Sequence, residues 1–351
     1  MKASHVFWTG LRVAGYKMGR RFSFPLPMPV NLAIVPTGRC NSMCRTCNIW
    51  KTPVSDELDA GEWDRIFKSI GRSHPWVTAS EGEPFLSKDL VEITRNLVEH
   101  TDPQIMVFPT NGILTEKITD DVREILGFYG GILIINFSLD GVGNLHDEIR
   151  GVRGNFRRVV DSVSAMKDVK RGSDNLVVGI NTVVSKHNIK KIDEISDFVK
   201  NELKPDSHIF EIADNREALN NAGMDLRPGC QEYLDAIGRV SGDSNVFPTG
   251  FFRKRYYRLV EEMLLKGRGI IPCYAGIASA QISSTGEVWA CCRMCESMGN
   301  LRENGYDFRK VWKSRQAMDV RRGIKERKCW CTSANANYTN ILCSFIRLAG
   351  V

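Results

Sequence analysis

Three cysteines fall within eight residues of this chain, Cys40-Asn-Ser-Met-Cys44-Arg-Thr-Cys47, directly behind an apolar run at 31–36. The C-x3-C-x2-C spacing suits three corners of a cubane iron–sulfur cluster, because a short loop can wrap one face while three thiolates bind three irons. The fourth iron is then left without a side chain. An open iron can chelate a small molecule through an amine and a carboxylate, which converts an electron carrier into a reactive centre. A zinc knuckle is the competing reading, and it requires a fourth thiolate or imidazole close by. The next histidine is His74 and the next cysteine is Cys230, so zinc is disfavoured.

The eleven cysteines occur without a visible secretory signal, since the first thirty residues lack a continuous apolar core ahead of a small-residue cleavage site. That combination points to metal or redox chemistry in a reducing compartment, with cytoplasm as the default location. With 42% hydrophobic and 25% charged residues, the 351-residue chain has the composition of an ordinary soluble globular protein. No apolar run approaches the ~18 residues that would cross a bilayer. The net charge of +7 is unevenly spread. Residues 1–31 carry Lys2, Arg12, Lys17, Arg20 and Arg21 with no acid, interleaved with Phe7, Trp8, Tyr16, Phe22 and Phe24. Two readings fit such an arm. The favoured one packs its aromatics under the first strand and leaves its cations in water; the other lays it on an anionic membrane or a polyanion. A second basic run at 309–328 reads as a solvated helix.

From 31 to 212 short apolar runs alternate with helical periods, the pattern of a parallel βα sheet. Strands are expected at 31–36, 76–80, 105–109, 132–139, 176–184 and 207–212. Helices are expected at 59–70, 87–100, 115–128, 155–170 and 188–203, with Ser87 and Asn188 as N-caps. In parallel barrels chemistry gathers at the C-terminal ends of strands. The unusual loops fall there four times running: the cysteine loop, Glu81-Gly82-Glu83-Pro84, Thr110-Asn111-Gly112 and Ser138-Leu139-Asp140-Gly141. Each alone reads as a turn. Four in consecutive register make a site.

The cysteine spacing and its strand context resemble the radical S-adenosylmethionine (radical SAM) enzymes. The resemblance implies an α/β fold, a partial (β/α)6 TIM-like barrel, with a 4Fe-4S cluster whose open iron holds the SAM amine and carboxylate. One electron then cleaves SAM to methionine and a 5′-deoxyadenosyl radical, which abstracts hydrogen from a substrate. Gly82, Glu83 and Pro84 resemble the family's GGEP segment, whose backbone accepts from the SAM ammonium; Glu81 stands where the family has glycine. Thr46 stands where the family has an aromatic that packs on adenine, and Ile49 or Trp50 is expected to take that place. Asn111, Ser138, Asp140 and Asn181 resemble SAM-facing positions, and Arg150 is the expected partner of the SAM carboxylate through a bidentate guanidinium. Each of these also fits a capping, turn or surface role. His146 and His187 read as loop histidines without chemistry.

The sixth strand runs into Glu211, Asp214 and Arg216, which fit either a polar-substrate and proton-transfer site or a salt-bridged loop. The stretch 216–270 reads as a helical connector, with amphipathic periods at 233–240 and 255–265. Cys230 lies within it; a lone cysteine is as a rule a small buried hydrophobe, but some family members return hydrogen to a substrate radical through a thiol. Glu211 and Cys230 are therefore the catalytic candidates. Near the C-terminus, 281–290 reads as a hairpin turning at Gly286, and Cys273, Gly286 and Cys291 follow a C-x12-G-x4-C pattern. This resembles the twitch and SPASM extensions of the family, small cysteine-rich α+β domains that carry auxiliary clusters. It implies a second 4Fe-4S cluster on Cys273, Cys291, Cys329 and Cys331, with Cys292 and Cys295 as substitutes; zinc in four thiols is the competitor.

The expected organisation is an arm (1–30), a barrel (31–215), a connector (216–270), a twitch/SPASM-like domain (271–332) and a tail (333–351). The resemblance implies hydrogen abstraction from a small-molecule, glycan or lipid-linked substrate, followed by oxidation, epimerisation or coupling. Electrons would come from a flavodoxin- or ferredoxin-type reductant. Membrane association is the arm's minor alternative, and no specific nucleic-acid partner is expected. A peptide- or RNA-modifying enzyme is one rival, and a non-catalytic iron–sulfur carrier is another.

Overall fold

A computed structural model of the chain describes residues 3–22, 26–240, 249–326 and 329–348. Lys2, Phe24, Arg327 and Lys328 lie outside the described residues, as do the side chains of Phe7 and Trp8. The arm forms helix α1 (Ala3–Phe22), and a parallel sheet follows: β1 (Asn31–Ile34), α2 (Ala60–Ile70), β2 (Trp76–Ala79), α3 (Leu90–Thr101), β3 (Ile105–Thr110), α4 (Thr115–Phe128) and β4 (Ile132–Ser138). Next come α5 (Asn144–Arg150), α6 (Asn155–Lys170), β5 (Leu176–Val184), α7 (Ile192–Phe198) and β6 (Ser207–Ile212). All six expected strands are present, within two residues at each end.

Beyond β6 the chain forms α8 (Cys230–Val240), α9 (Thr249–Lys266), the hairpin β7 (Ser279–Ile282) and β8 (Glu287–Trp289), and β9 (Ser297–Asn300). It finishes with α10 (Phe308–Trp312), α11 (Arg315–Glu326) and α12 (Ala334–Leu348). The sheet order is β6-β5-β4-β3-β2-β1-β7-β8-β9. Strand β7 pairs parallel with β1, opposing Ser279 to Asn31, so the expected C-terminal domain continues the barrel's own sheet. The expected tail is helix α12, which closes one side of that sheet.

Strand alternation decides which side chains face which way, because successive residues point to opposite faces. Leu133, Ile135 and Phe137 of β4 are buried with Trp63, Phe67, Leu97, Val122 and Val163 in one core beneath the helices. Ser138, on the alternate face of β4, lines the cavity with Asn31, Thr78, Asn181 and Glu211 of other strands. Two helix starts differ from expectation. Helix α3 begins after Asp89, with Ser87 ending a preceding turn. Asn188 precedes a short 3-10 turn and bonds backward, accepting from Ser185 N (2.8 Å) and donating to Asp140 O (2.9 Å).

Helix α1 docks by Tyr16, which is fully buried, and by Arg12, which donates to Ser73 O (2.5 Å), Met28 O (2.7 Å) and Pro29 O (2.8 Å). The arm therefore uses a cation, as well as an aromatic, to reach the start of the first strand.

A charged clasp joins the barrel to the C-terminal unit. Glu62 completes the capping box of α2 with Asp59 and also accepts from Arg302 (2.8 and 2.9 Å) and Tyr306 Oη (2.8 Å). The Arg302 hydrogen bonds are the main reason that its carboxyl titrates at about 2 instead of 4.5. A carboxylate depressed by folding adds stability that is complete above its ordinary pKa and lost as pH falls toward the folded value. Glu62→Gln should therefore cost about 2 kcal/mol near neutrality. The gap from wild type should close as pH falls below 4.5 toward 2. Thermal melts across that range test this, and a pH-independent gap would refute the assignment.

Candidate functional site

A cavity of about 350 Å³ opens at the C-terminal ends of the parallel strands, within the size range of small-molecule sites. Cys40, Cys44 and Cys47 all line it. Backbone contacts with two glycine-containing loops hold their loop in place. Met43 N and Arg45 N donate to Arg150 O (3.0 Å) and Ile149 O (2.8 Å), and Glu83 N donates to Arg39 O (2.8 Å). Gly82 (φ +54°) and Gly151 (φ +66°) lie where the backbones touch: a Cβ at Gly82 would stand 2.7 Å from Arg39 O, and one at Gly151 would strike the Met43 carbonyl. Only glycine combines that φ with that approach.

Burial pushes the Cys40 thiol up to about 12 and Cys47 to about 11. Thiolates are costly there unless a cation supplies the missing charge, as ligation to iron does. The cavity wall also carries polar atoms without partners among the described residues: Ser42 Oγ, Arg150 Nε and Asn181 Oδ1. Buried polar atoms in native proteins are almost always paired, so these point to a ligand with complementary groups. The donor set thus fits a cluster and a polar cofactor.

Glu83 is buried and accepts from Thr110 Oγ1 (2.8 Å) and Asn111 N (2.7 Å), which joins the second and third loops; burial raises it to about 7. Asn111 donates in turn to Asn41 Oδ1 (2.6 Å), beside Cys40. Glu81, in the family's glycine position, adopts φ +60°, the left-handed conformation that glycine takes most readily. Its carboxyl crosses to Gln281 of β7, and burial raises it to about 7. Gly82, Glu83, Asn111, Ser138, Arg150 and Asn181 line the cavity, whereas Pro84 and Asp140 do not. Asp140 instead binds Arg150 (2.8 Å) and accepts from Val183 N (2.8 Å). Burial raises Asp140, and Arg150 opposes that rise. Arg150 also donates to Cys44 Sγ (3.7 Å), so Asp140 positions the guanidinium rather than facing a ligand itself.

Ile49, not Trp50, lines the cavity; the Trp50 indole donates to Cys47 O (3.1 Å) and braces the loop. His146 is no loop residue: it lies in α5, fully buried between Asp140 N (3.1 Å) and Asn155 Oδ1 (3.1 Å), and burial lowers it to about 3. Cys230 is exposed at the start of α8 and does not line the cavity, which removes the geometric basis for its catalytic role. Glu211 does line it, but it accepts from Ala334 N (2.7 Å) and Asn181 Nδ2 (3.5 Å), so its oxygens are already engaged. Asp214 is clamped by Arg227 (2.7 Å) and Arg293 (2.8 Å). Arg216 lines the cavity 4.0 Å from Glu211.

Cys291 and Cys292 line the same cavity. Cys273 lies within electrostatic reach of Cys291, Cys329 and Cys331, the expected set of four. Cys292, expected only as a substitute, lies within reach of Arg216, Glu81 and Cys331. Among the described residues, no three His, Cys, Asp or Glu side chains stand close enough together to hold a single metal ion, and this applies to both cysteine sets alike. One segment touches both cysteine loops: Asn221 Nδ2 donates to Thr46 O (2.9 Å), and Ala218 N donates to Cys292 O (3.1 Å). Gln281, Asn335 and Asn340 also line the cavity and were not anticipated. The strand alternation of β7 could have exposed Gln281; nothing in the 333–351 stretch marks it as a wall.

A family model for the radical SAM superfamily matches residues 34–199, and one for the SPASM iron–sulfur cluster-binding domain matches residues 273–333. An AdoMet-dependent heme synthase of Methanosarcina barkeri is 25% identical over 316 residues, covering 84% of this chain and 85% of that protein. Among solved structures, Streptococcus suis SuiB bound to S-adenosylmethionine superposes with a TM-score of 0.62 at 19% identity, covering 88% of this chain and 71% of that one. The tagged anSMEcpe with bound AdoMet gives 0.62 at 15% identity, covering 92% and 98%. The chain belongs to the radical SAM superfamily, whose barrel domain binds a 4Fe-4S cluster and SAM, and it carries a C-terminal SPASM domain of the iron–sulfur cluster-binding type.

Proposed function

We propose that this enzyme cleaves SAM reductively and abstracts hydrogen from a small polar substrate held in the one cavity that both cysteine sets border. One observation carries this reading: Cys40, Cys44 and Cys47 line a cavity of about 350 Å³ together with Cys291 and Cys292. When bound, the cluster and SAM supply a 5′-deoxyadenosyl radical. The chain's own residues orient and enclose. Cys40, Cys44 and Cys47 would ligate three irons, Arg150 would hold the SAM carboxylate, and Gly82, Asn111, Ser138 and Asn181 would meet its remaining polar groups. Cys273, Cys291, Cys329 and Cys331 would hold the auxiliary cluster.

Arg216, Gln281, Asn335 and Asn340 also line the cavity, polar side chains suited to hydroxyl, amide or carboxyl groups. That polarity supports a small molecule, a glycan or the head group of a lipid-linked intermediate. The Methanosarcina relative, named for heme synthesis, supports a small molecule as well. A second metal-binding wall in the same cavity favours oxidation, epimerisation or coupling.

Oxygen-free protein reconstituted with iron and sulfide should yield 5′-deoxyadenosine from SAM and dithionite, and Cys40→Ala should abolish it. A clustered wild-type protein that yields none would instead be an electron carrier.

The Asp140–Arg150 pair makes a sharper demand. Arg150→Gln and Asp140→Asn should each weaken SAM binding roughly tenfold, about 1.4 kcal/mol, because one removes the guanidinium and the other leaves it misaligned. The double variant should lose little more than either single one. Additive losses, measured by equilibrium dialysis, would show that Asp140 does not act through Arg150.

A further inference from the structure

We infer that the outer face of α1 docks on an anionic lipid bilayer. Leu11, Met18 and Phe22 are 50%, 46% and 66% exposed. They fall at i, i+7 and i+11, a spacing that lines them up along one side of a helix. Isolated exposed apolar residues are normal on any surface, but three large ones on a single stripe are not scattered. The opposite side of the helix is already committed, through buried Tyr16 and the three carbonyls that accept from Arg12.

Charge decides among occupants. The first 31 residues carry no acid; of their five cations Lys2 lies outside the described residues, while Arg12 is taken up by carbonyls and Arg20 by the Tyr274 ring, which leaves Lys17 and Arg21 beside the stripe. Exposed Arg21 lies over the Phe22 ring at 5.2 Å, and exposed Arg72 lies next to Ser73, whose carbonyl accepts from Arg12. A second copy of the chain would bring like charges together across such a stripe, which disfavours self-association. Nucleic acid would satisfy the cations, but its phosphate backbone offers no apolar bed for Leu11, Met18 and Phe22. An anionic bilayer meets both needs: acyl chains take the stripe while headgroups take the cations. No described helix is long and apolar enough to cross a membrane, so the contact is interfacial.

The placement of the helix also suits a surface contact. Arg12 ties it to Met28, Pro29 and Ser73, the residues leading into β1 and β2, whereas Cys40 follows the other end of β1. The contact therefore lies toward the end of β1 away from the cysteine loop.

Co-sedimentation of the full-length protein with phosphatidylcholine vesicles, with and without phosphatidylglycerol, tests the inference. Binding should require phosphatidylglycerol and weaken as salt is raised. Replacing Leu11, Met18 and Phe22 together by Ser should weaken binding roughly tenfold or more while leaving the melting temperature unchanged, since all three are exposed. Lys17→Gln with Arg21→Gln should reduce both the binding and its salt dependence. No sedimentation at low salt, or equal binding by the triple-Ser variant, would overturn the inference. So would a wild-type dimer that ignores vesicles and becomes monomeric in the triple-Ser variant, because the stripe would then serve self-association.

Discussion

Everything at the reactive end of this molecule depends on how closely three backbones approach one another around the cysteine loop. Residues 40–47 must present three thiols to one cavity, and a loop that short has too few internal contacts to hold that shape alone. It is gripped from outside, by the Gly82 turn behind β2 and the Gly151 turn behind α5. Both glycines have positive φ and touch carbonyls of the loop, so a methyl group at either would push the thiols out of place. The same segments carry Glu83 and Arg150. Placing the cysteines therefore also places the groups that border them.

Around that loop the wall is built by strand alternation. Leucine, isoleucine and phenylalanine on one face of each strand are buried beneath the helices, and the residues between them form a polar inner surface. Buried charges there are mostly paired: Asp140 with Arg150, Asp214 with two arginines, and Glu81 with a glutamine from β7. Such pairing is expected where water is scarce, because an unpartnered charge is far costlier in a poorly hydrated site than at the surface. The unpaired Ser42, Arg150 and Asn181 atoms stand out against this background. They are where a bound molecule would complete the wall.

The parallel β1–β7 pairing joins what would otherwise be two domains. The sheet continues from β1 through β7 to the antiparallel β8, and Cys291 and Cys292, which follow β8, line the same cavity as the cysteines that follow β1; the Glu62–Arg302–Tyr306 clasp ties the two parts together. Residues 214–221 fill the gap and bond to both cysteine loops. Two metal-binding regions more than two hundred residues apart in the chain therefore border one space.

The amino-acid sequence by itself determined the parts that depend on local chemistry. Cysteine spacing, apolar periodicity and turn residues specify the six strands, the loop of the first three cysteines and the hairpin at Gly286; the residues expected to face the cofactor followed from the resemblance to the radical SAM enzymes. Only the tertiary structure decided which polar side chains reach the cavity. Asp140 faces away because Arg150 and Val183 N claim its oxygens, and Cys230 lies outside because α8 starts away from the cavity. Glu211 is engaged by α12, a helix that spacing did not announce. The reason is physical: periodicity reports the face on which a residue lies, but the partners of a buried charge are contributed by segments distant in the chain, and only packing brings them together.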